Sequence, residues 1–424
     1  MIYDRSFFDM MGIDMQSTTG AALPAAFRHM AWSNFFAQFS EQIALAAAPL
    51  AAVLLLSAGP AETGWLQTAQ TLPFLLLSIP AGLLVDHASR RTLMVGSEAL
   101  RAVSLAAILG LIASGLLNLP LLASLGFLGA IGTVCYNVAA PAMIPSIVPG
   151  AQLGNANRWL ELARSAAYAG GPAIGGAVVG WTGAPAAYVL ATILSILAVM
   201  LLRGLPNSRL PGRKGARGPL YELKEAVAFV TNHDLLRPIM ITAIFFNTAW
   251  FVLQAIYVAY AVQHLGLSPV EVGVTLGIYG GGMLTGALLA PVVARRLSFG
   301  MVIVIGPLCG FSAALVMLLT IWMPGGFLPA ISFVLFGAGP ILWSIATTTL
   351  RQTVTPHAML GRVSALIMTV TFGARPIGAA LGALVATRSG AEACLWVATG
   401  GFLIQLLTIC GSRVPKLKKL PVAS

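Results

Sequence analysis

Acidic side chains are scarce in this sequence: Asp and Glu number 13 in 424 residues, and charged residues of both signs make up 9%. A water-soluble domain carries about a quarter of its residues as charges, so an ordinary soluble fold is excluded. Cysteine is sparse too. Cys135, Cys309, Cys394 and Cys410 all fall inside apolar stretches without paired spacing, which argues against a disulfide framework and leaves buried thiols. His29, His87, His233, His264 and His357 are scattered, so no metal site is expected. The chain has no Gly-x-x-x-x-Gly-Lys-Ser/Thr loop, no nucleophile elbow and no helix with two metal-binding histidines. Neither an enzyme nor a bound cofactor is expected. Residues 1–26 carry Asp4, Asp9 and Asp14 and lack a basic start followed by an apolar run, so no cleavable signal is expected.

Apolar side chains are what the chain has in excess, at 58% of residues and a mean hydropathy of +0.88. Surface shrinks too slowly relative to volume for a soluble fold to hide that much; lipid can solvate it. The apolar runs are about 20 residues long, enough for a helix to cross about 30 Å of hydrocarbon. Twelve spans are expected, near 30–57, 62–85, 92–115, 119–147, 156–180, 184–203, 237–263, 269–293, 299–322, 325–350, 362–387 and 391–411. They are continuously apolar, which favours helices over the alternating strands of a barrel.

The net charge of +11 is distributed unevenly. Loops after odd-numbered spans hold Glu62, His264, Glu271, Arg388 and Glu392, with Arg388 their one strong base. Loops after even-numbered spans and the carboxyl end hold Arg90, Arg91, Arg203, Arg213, Lys214, Arg295, Arg296, Arg362, Arg413 and Lys416, among others. The positive-inside rule then places both termini in the cytoplasm. This asymmetry accounts for the charge without a nucleic-acid partner.

The expected organisation is a cytoplasmic segment (1–29), a six-helix bundle (30–203), a linker (204–236), a second six-helix bundle (237–411) and a basic tail (412–424). Within the linker, Leu223, Val227 and Val230 fall on one helical side, as an amphipathic helix on the inner membrane face requires. The halves share spacing. Pro149-x-Ala151-x-Leu153-Gly154 recurs as Pro356-x-Ala358-x-Leu360-Gly361, an offset of 356 − 149 = 207, and the same offset pairs Gly175 with Gly382 and Gly183 with Gly390. Glu62-x-Gly64 is echoed by Glu271-x-Gly273. Two parallel six-helix repeats form a transporter architecture with the solute site between them near mid-depth.

Gly82-Leu83-Leu84-Val85-Asp86-His87-Ala88-Ser89-Arg90-Arg91 resembles the loop motif of the major facilitator superfamily, with His87 and Ser89 departing from the usual base and glycine. Gly82, Asp86, Arg90 and Arg91 would then form a gating loop that locks the bundles by charge pairing. Gly171-Pro172-x-x-Gly175-Gly176 resembles the motif shared by drug and proton antiporters of that superfamily. Read from the residues alone, it is a site of close helix packing. Ser40-Glu41-Gln42-Ile43, Glu98-x-x-Arg101 and Leu153-Gly154-Asn155-Ala156-Asn157 are similar to features of the branch holding the enterobactin exporter and the macrolide efflux proteins. The resemblance implies an all-α membrane fold of twelve helices in two bundles related by a pseudo-twofold axis. It implies a monomer in a bacterial inner membrane, exporting a drug, siderophore or similar metabolite by alternating access against an inward flow of protons. An importer, a uniporter or a lipid flippase on the same fold is the alternative, and a polytopic enzyme is the reading from another class.

Charges and polar groups within the spans are costly, so each needs a reason. Asn34, Gln38 and Glu41 share a face of the first span, which by resemblance to the superfamily lines the cavity. Glu41 either handles protons or substrate or is paired permanently with an arginine such as Arg164 or Arg375. Those two arginines either attract a solute or belong to the gate. Glu98 and Arg101, three apart, read as a structural ion pair. Asn247, Trp250, Gln254 and Tyr257 share a face of the seventh span and suit a large amphipathic solute, unless the aromatics belong to an interfacial belt. Tyr136, Asn137, Trp343 and Thr347 are further cavity candidates.

Overall fold

A computed structural model describes residues 24–87, 89–149, 152–206, 219–356 and 359–421. The chain is all helix: α1 (Ala25–Leu56), α2 (Pro60–His87), α3 (Arg90–Ala113), α4 (Leu119–Ile147), α5 (Leu153–Thr182), α6 (Ala184–Arg203), α7 (Pro219–Asn232), α8 (Leu236–Gln263), α9 (Pro269–Arg296), α10 (Phe299–Leu318), α11 (Phe327–Val354) and α12 (Leu360–Cys410). Among the described residues nine of these helices are long and apolar enough to cross a membrane. At 51 residues α12 crosses twice, because Gly390, with φ 81° and ψ 177°, reverses the chain between its two arms. Only glycine adopts that conformation without strain. Gly183, which lies 390 − 183 = 207 residues earlier between α5 and α6, has φ 86° and ψ 166°. The first half makes the same turn at the same place. With α2 and α5 the spans number twelve among the described residues.

Helix starts follow local chemistry. Ser268 and Glu271 form a reciprocal capping box at α9, and the Asn118 side chain accepts from Leu121 N–H at α4. Ser89, where the loop motif usually has glycine, accepts from Thr92 N–H and starts α3. The half-buried His233 does the same for α8: its Nδ1 accepts from Leu235 and Leu236 N–H.

The pairing of helices repeats between halves. In the first, α1 packs on α5 and α6, α2 on α4, and α3 on α4 and α6. In the second, α8 packs on α12, α9 on α11, and α10 on α11 and α12. The halves join through α2 against α12 and α5 against α9. Both joints depend on small residues. A Cβ on Gly64 would lie 2.8 Å from Ala383 Cα, and one on Gly273 would lie 2.6 Å from Gly176 Cα. Gly176 and Ala383 are again 207 apart (383 − 176), and Gly64 and Gly273 are 209 apart (273 − 64), so to within a two-residue shift the two seams are copies of one contact.

The seams lie on the side away from the basic loops. There Gln263 Nε2 donates to the Ala58 carbonyl across the halves at 3.0 Å, and one hydrophobic cluster runs through both bundles, from Ala52 and Leu66 to Tyr257 and Phe336. Towards the basic side the clusters separate. One holds Phe27, Met94, Met143 and Leu202 from the first half; two others hold Ile303 and Leu350, and Val230 and Val363, from the second. Among the described residues the bundles thus meet from mid-depth to the far side and part towards the basic side.

The structure corrects the stripe assigned to the linker helix. Ala226 and Val230 are buried against Val363 and Leu366, whereas Val227 is exposed, and Glu225 pairs with Arg362 at 2.8 Å. The buried face turns towards the second bundle. Residues 1–23 and 207–218 and the side chain of Leu223 lie outside the described residues.

Candidate substrate cavity and its charged wall

The parted halves enclose a cavity of about 360 Å³ at mid-depth. Glu41 on α1 reaches it from the first half; Asn247, Trp250 and Gln254 on α8 and Arg375 on α12 reach it from the second. These are the sequence-derived candidates that the fold brings together. Gln67, Gln70 and Phe74 on α2, Phe251 on α8 and Tyr279 on α9 also line it. Sequence reasoning passed over them, although Gln67, Gln70 and Phe74 at i, i+3 and i+7 present one polar-aromatic face in an apolar span.

Arg101 connects the cavity to its charged wall. Its guanidinium grips Glu98 with two parallel bonds, through Nε at 3.3 Å and through the adjoining terminal nitrogen. It also donates to the Ala37 carbonyl at 3.0 Å, to Thr133 Oγ1 at 3.4 Å and to Glu41 Oε2 at 3.3 Å. All five N–H groups are used. Glu98 gains a further bond from Ser195 Oγ at 2.6 Å. The glycine at 132 makes this geometry possible: a Cβ there would lie 2.3 Å from the Ser97 carbonyl oxygen, so α4 closes tightly on α3. Of the two carboxylates sharing one cation, Glu98 is 1% exposed and multiply held; Glu41 is 16% exposed and held by one long bond.

Glu41 therefore has an arginine partner, but neither of the two named from sequence. Arg164 is exposed and pairs with Glu161 at 2.5 Å, outside the cavity lining. Arg375 lines the cavity without a carboxylate within 4 Å among the described residues. Its Nε is buried with no acceptor among the described residues, and its guanidinium lies 4.3 Å from the Phe372 ring centre, 5.5 Å from Phe251 and 5.8 Å from Phe74. Trp250 stacks on Tyr279 at 5.1 Å beside it.

Other candidates sit elsewhere. Asn34 and Gln38 are buried behind the cavity wall, because the stripe on α1 turns into the bundle below Glu41. Tyr136 is buried in the first half's own cluster, and Asn137 is exposed. The Tyr257 hydroxyl is bonded to Thr275 at 2.6 Å, and Thr347 Oγ1 donates to the Trp343 carbonyl. Trp343 lines a separate cavity of about 160 Å³ within the second half. In the antiporter-like motif, a Cβ on Gly171 would lie 2.4 Å from Gln42 Cβ, while one on Gly176 would meet Gly273 of the other half. The motif thus packs α5 closely on both α1 and α9. In the loop motif, the side chains of Gly82 and Asp86 lie outside the described residues; Arg91 donates to the Arg203 carbonyl at 2.5 Å, and Arg90 sits beside it at the start of α3. Among the described residues no group of His, Cys, Asp and Glu is arranged to hold a metal.

Two pseudosymmetric helix bundles parted around a polar-aromatic cavity define a membrane carrier rather than an enzyme. The Major Facilitator Superfamily profile matches residues 30–379, and the chain belongs to that superfamily. It is similar to Macrolide efflux protein A of Streptococcus pyogenes, 25% identical over 363 residues that cover 82% of this chain and 86% of the relative. It is also similar to the multidrug efflux pump Tap of Mycolicibacterium fortuitum, 28% identical over 373 residues, covering 84% and 88%. In fold it resembles a bacterial homologue of the iron transporter ferroportin in an inward-facing state, with a TM-score of 0.72 at 16% identity over 91% of this chain and 98% of that one. The protein is a multi-pass membrane transporter.

Proposed function

We propose that this transporter exports an amphipathic small molecule in exchange for protons, and that Glu41 carries the proton. The observation that carries this reading is the unequal sharing of Arg101: Glu98 is locked to it, while Glu41 faces the cavity on a single 3.3 Å bond. A carboxylate so placed can let go of its cation when protonated or when a solute takes its place, without unfolding the wall behind it. Similarity to efflux proteins supports the outward direction. The basic side is assigned to the cytoplasm by the positive-inside rule, in a bacterial cytoplasmic membrane. The cavity opening there would load solute from inside the cell.

Reconstitution in liposomes with an imposed pH gradient tests this. Gradient-driven efflux of an amphipathic dye that carries both an amine and a carboxylate should be lost in Glu41→Gln, while exchange of dye against dye persists. Transport that ignores collapse of the gradient, or a fully active Glu41→Gln protein, removes proton exchange from the mechanism.

A further inference from the structure

The cavity charges restrict what the carrier can hold. Arg101 spends all five N–H groups within its own half and has none for a solute. Arg375 is the reverse case, with a buried Nε lacking an acceptor and no carboxylate within 4 Å among the described residues. The rings of Phe74, Phe251 and Phe372 attract its charge but accept no strong hydrogen bond. A guanidinium in that situation is matched by a planar acid, which takes two parallel bonds.

The sum of charge narrows the choice. Glu41, Glu98, Arg101 and Arg375 contribute two charges of each sign around one cavity. A purely anionic solute on Arg375 leaves a surplus negative charge in a low dielectric, which draws a proton onto Glu41. Exchange demands the opposite, since Glu41 must give up its proton as solute loads. A purely cationic solute displaces that proton but leaves Arg375 unanswered. A molecule bearing both groups satisfies each residue, competes with the proton and keeps the sum at zero.

We propose that the substrate is a zwitterionic aromatic compound, its acid held by Arg375, its protonated amine by Glu41, and its ring against Trp250 and Tyr279. This rests on the proton-exchange reading above. A volume of about 360 Å³ suits a solute of one or two rings.

The probes are 4-phenylphenylalanine, its methyl ester, its N-acetyl derivative and the doubly blocked N-acetyl ester. Their binding to the purified full-length protein in detergent is measured by calorimetry. The free amino acid should bind about tenfold or more tightly than either singly blocked form, the scale expected for losing one desolvated charge contact. Arg375→Gln should erase the difference between amino acid and methyl ester but keep the preference for a free amine, and Glu41→Gln should do the opposite. If Arg375→Gln aggregates, Arg375→Lys, which keeps the charge but not the fork, should shrink the acid preference severalfold. An ester that binds wild type as well as the amino acid, or no binding by any of the four, overturns the proposal. So does an acid preference that survives Arg375→Gln. Binding needs no gradient, so the two readings fail separately: gradient-driven efflux without the charge preference sinks the zwitterion alone, and the preference without gradient dependence sinks proton exchange.

Discussion

At the scale of single residues, Glu98 and Glu41 look alike in sequence, each an acid in an apolar span, yet they are held differently. Removing Glu98 leaves the Arg101 guanidinium buried without its bidentate partner, a loss of about 3–5 kcal/mol for a broken buried pair. Glu98→Ala should therefore melt far below wild type in detergent, followed by intrinsic fluorescence. Glu41→Gln keeps an amide oxygen within reach of Arg101 and should melt near wild type, within about 1 kcal/mol. If the two variants changed places, the locked and exchanging roles would have to be exchanged as well. The spacing of Glu98 and Arg101 was readable from sequence, because three residues bring side chains together along a helix. The bond from Arg101 to Glu41 was not. It depends on how close α3 comes to α1 and α4, and that is set by Gly132 and by packing between residues about sixty apart. Arg164 pairs with Glu161 rather than with Glu41 for a related reason: an acid one turn away on its own helix lies within reach of its side chain.

Among the helices, the glycines of α9 provide a paired test. A Cβ on Gly280 would lie 2.3 Å from Ala169 Cα on α5, whereas one on the neighbouring Gly281 would meet nothing within 4 Å. Backbone cannot yield as a side chain can. Gly280→Ala should force α5 and α9 apart and reduce transport severalfold or more, an overpacking penalty of about 1–3 kcal/mol on the closed seam. Gly281→Ala should be silent in the same liposome assay. Equal effects at both positions would contradict the close α5–α9 contact. A second test concerns the start of α8. Burial holds the His233 imidazole below its ordinary pKa of 6.5, against the pull of Asp234, and its neutral Nδ1 caps the helix. A depressed folded pKa means that the unfolded chain binds the proton first. Stability is complete above about pH 6.5 and falls as pH drops from there towards the folded value. Thermal midpoints measured between pH 8 and 5 should decline on that limb, less steeply in His233→Asn; a parallel decline would remove His233 as its cause. The helices themselves were legible, because apolar length and capping residues act locally. The buried face of α7 was not, since Val227 and Val230 satisfy the same periodicity and only contact with Val363 and Leu366 decides which side is covered.

For the whole molecule, duplication is the constraint that makes the rest consistent. The duplication was visible as repeated letters, but its physical content is a shared backbone conformation at Gly183 and Gly390 and a shared seam, Gly64 on Ala383 and Gly273 on Gly176. Two copies of one contact, related by a pseudo-twofold axis, are the arrangement a hinge between rigid halves would need. The far-side cluster joins both bundles and the basic-side clusters do not, so halves that rock as rigid bodies would close one face as they open the other. Spin labels can follow both faces at once. Positions 58 and 263, bridged now by a hydrogen bond, report the far side; Val148 and Thr355, which are 355 − 148 = 207 apart, report the basic side. Pulsed electron paramagnetic resonance at high pH should give a short, narrow far-side distance and a long, broad basic-side one. Lowering the pH to protonate Glu41 in wild type should lengthen the first population and shorten the second together, and Glu41→Gln should hold the low-pH distribution at every pH. Two distances that vary independently, or a Glu41→Gln protein that still responds to pH as wild type does, would mean that the bundles do not rock as rigid halves under the control of that carboxyl.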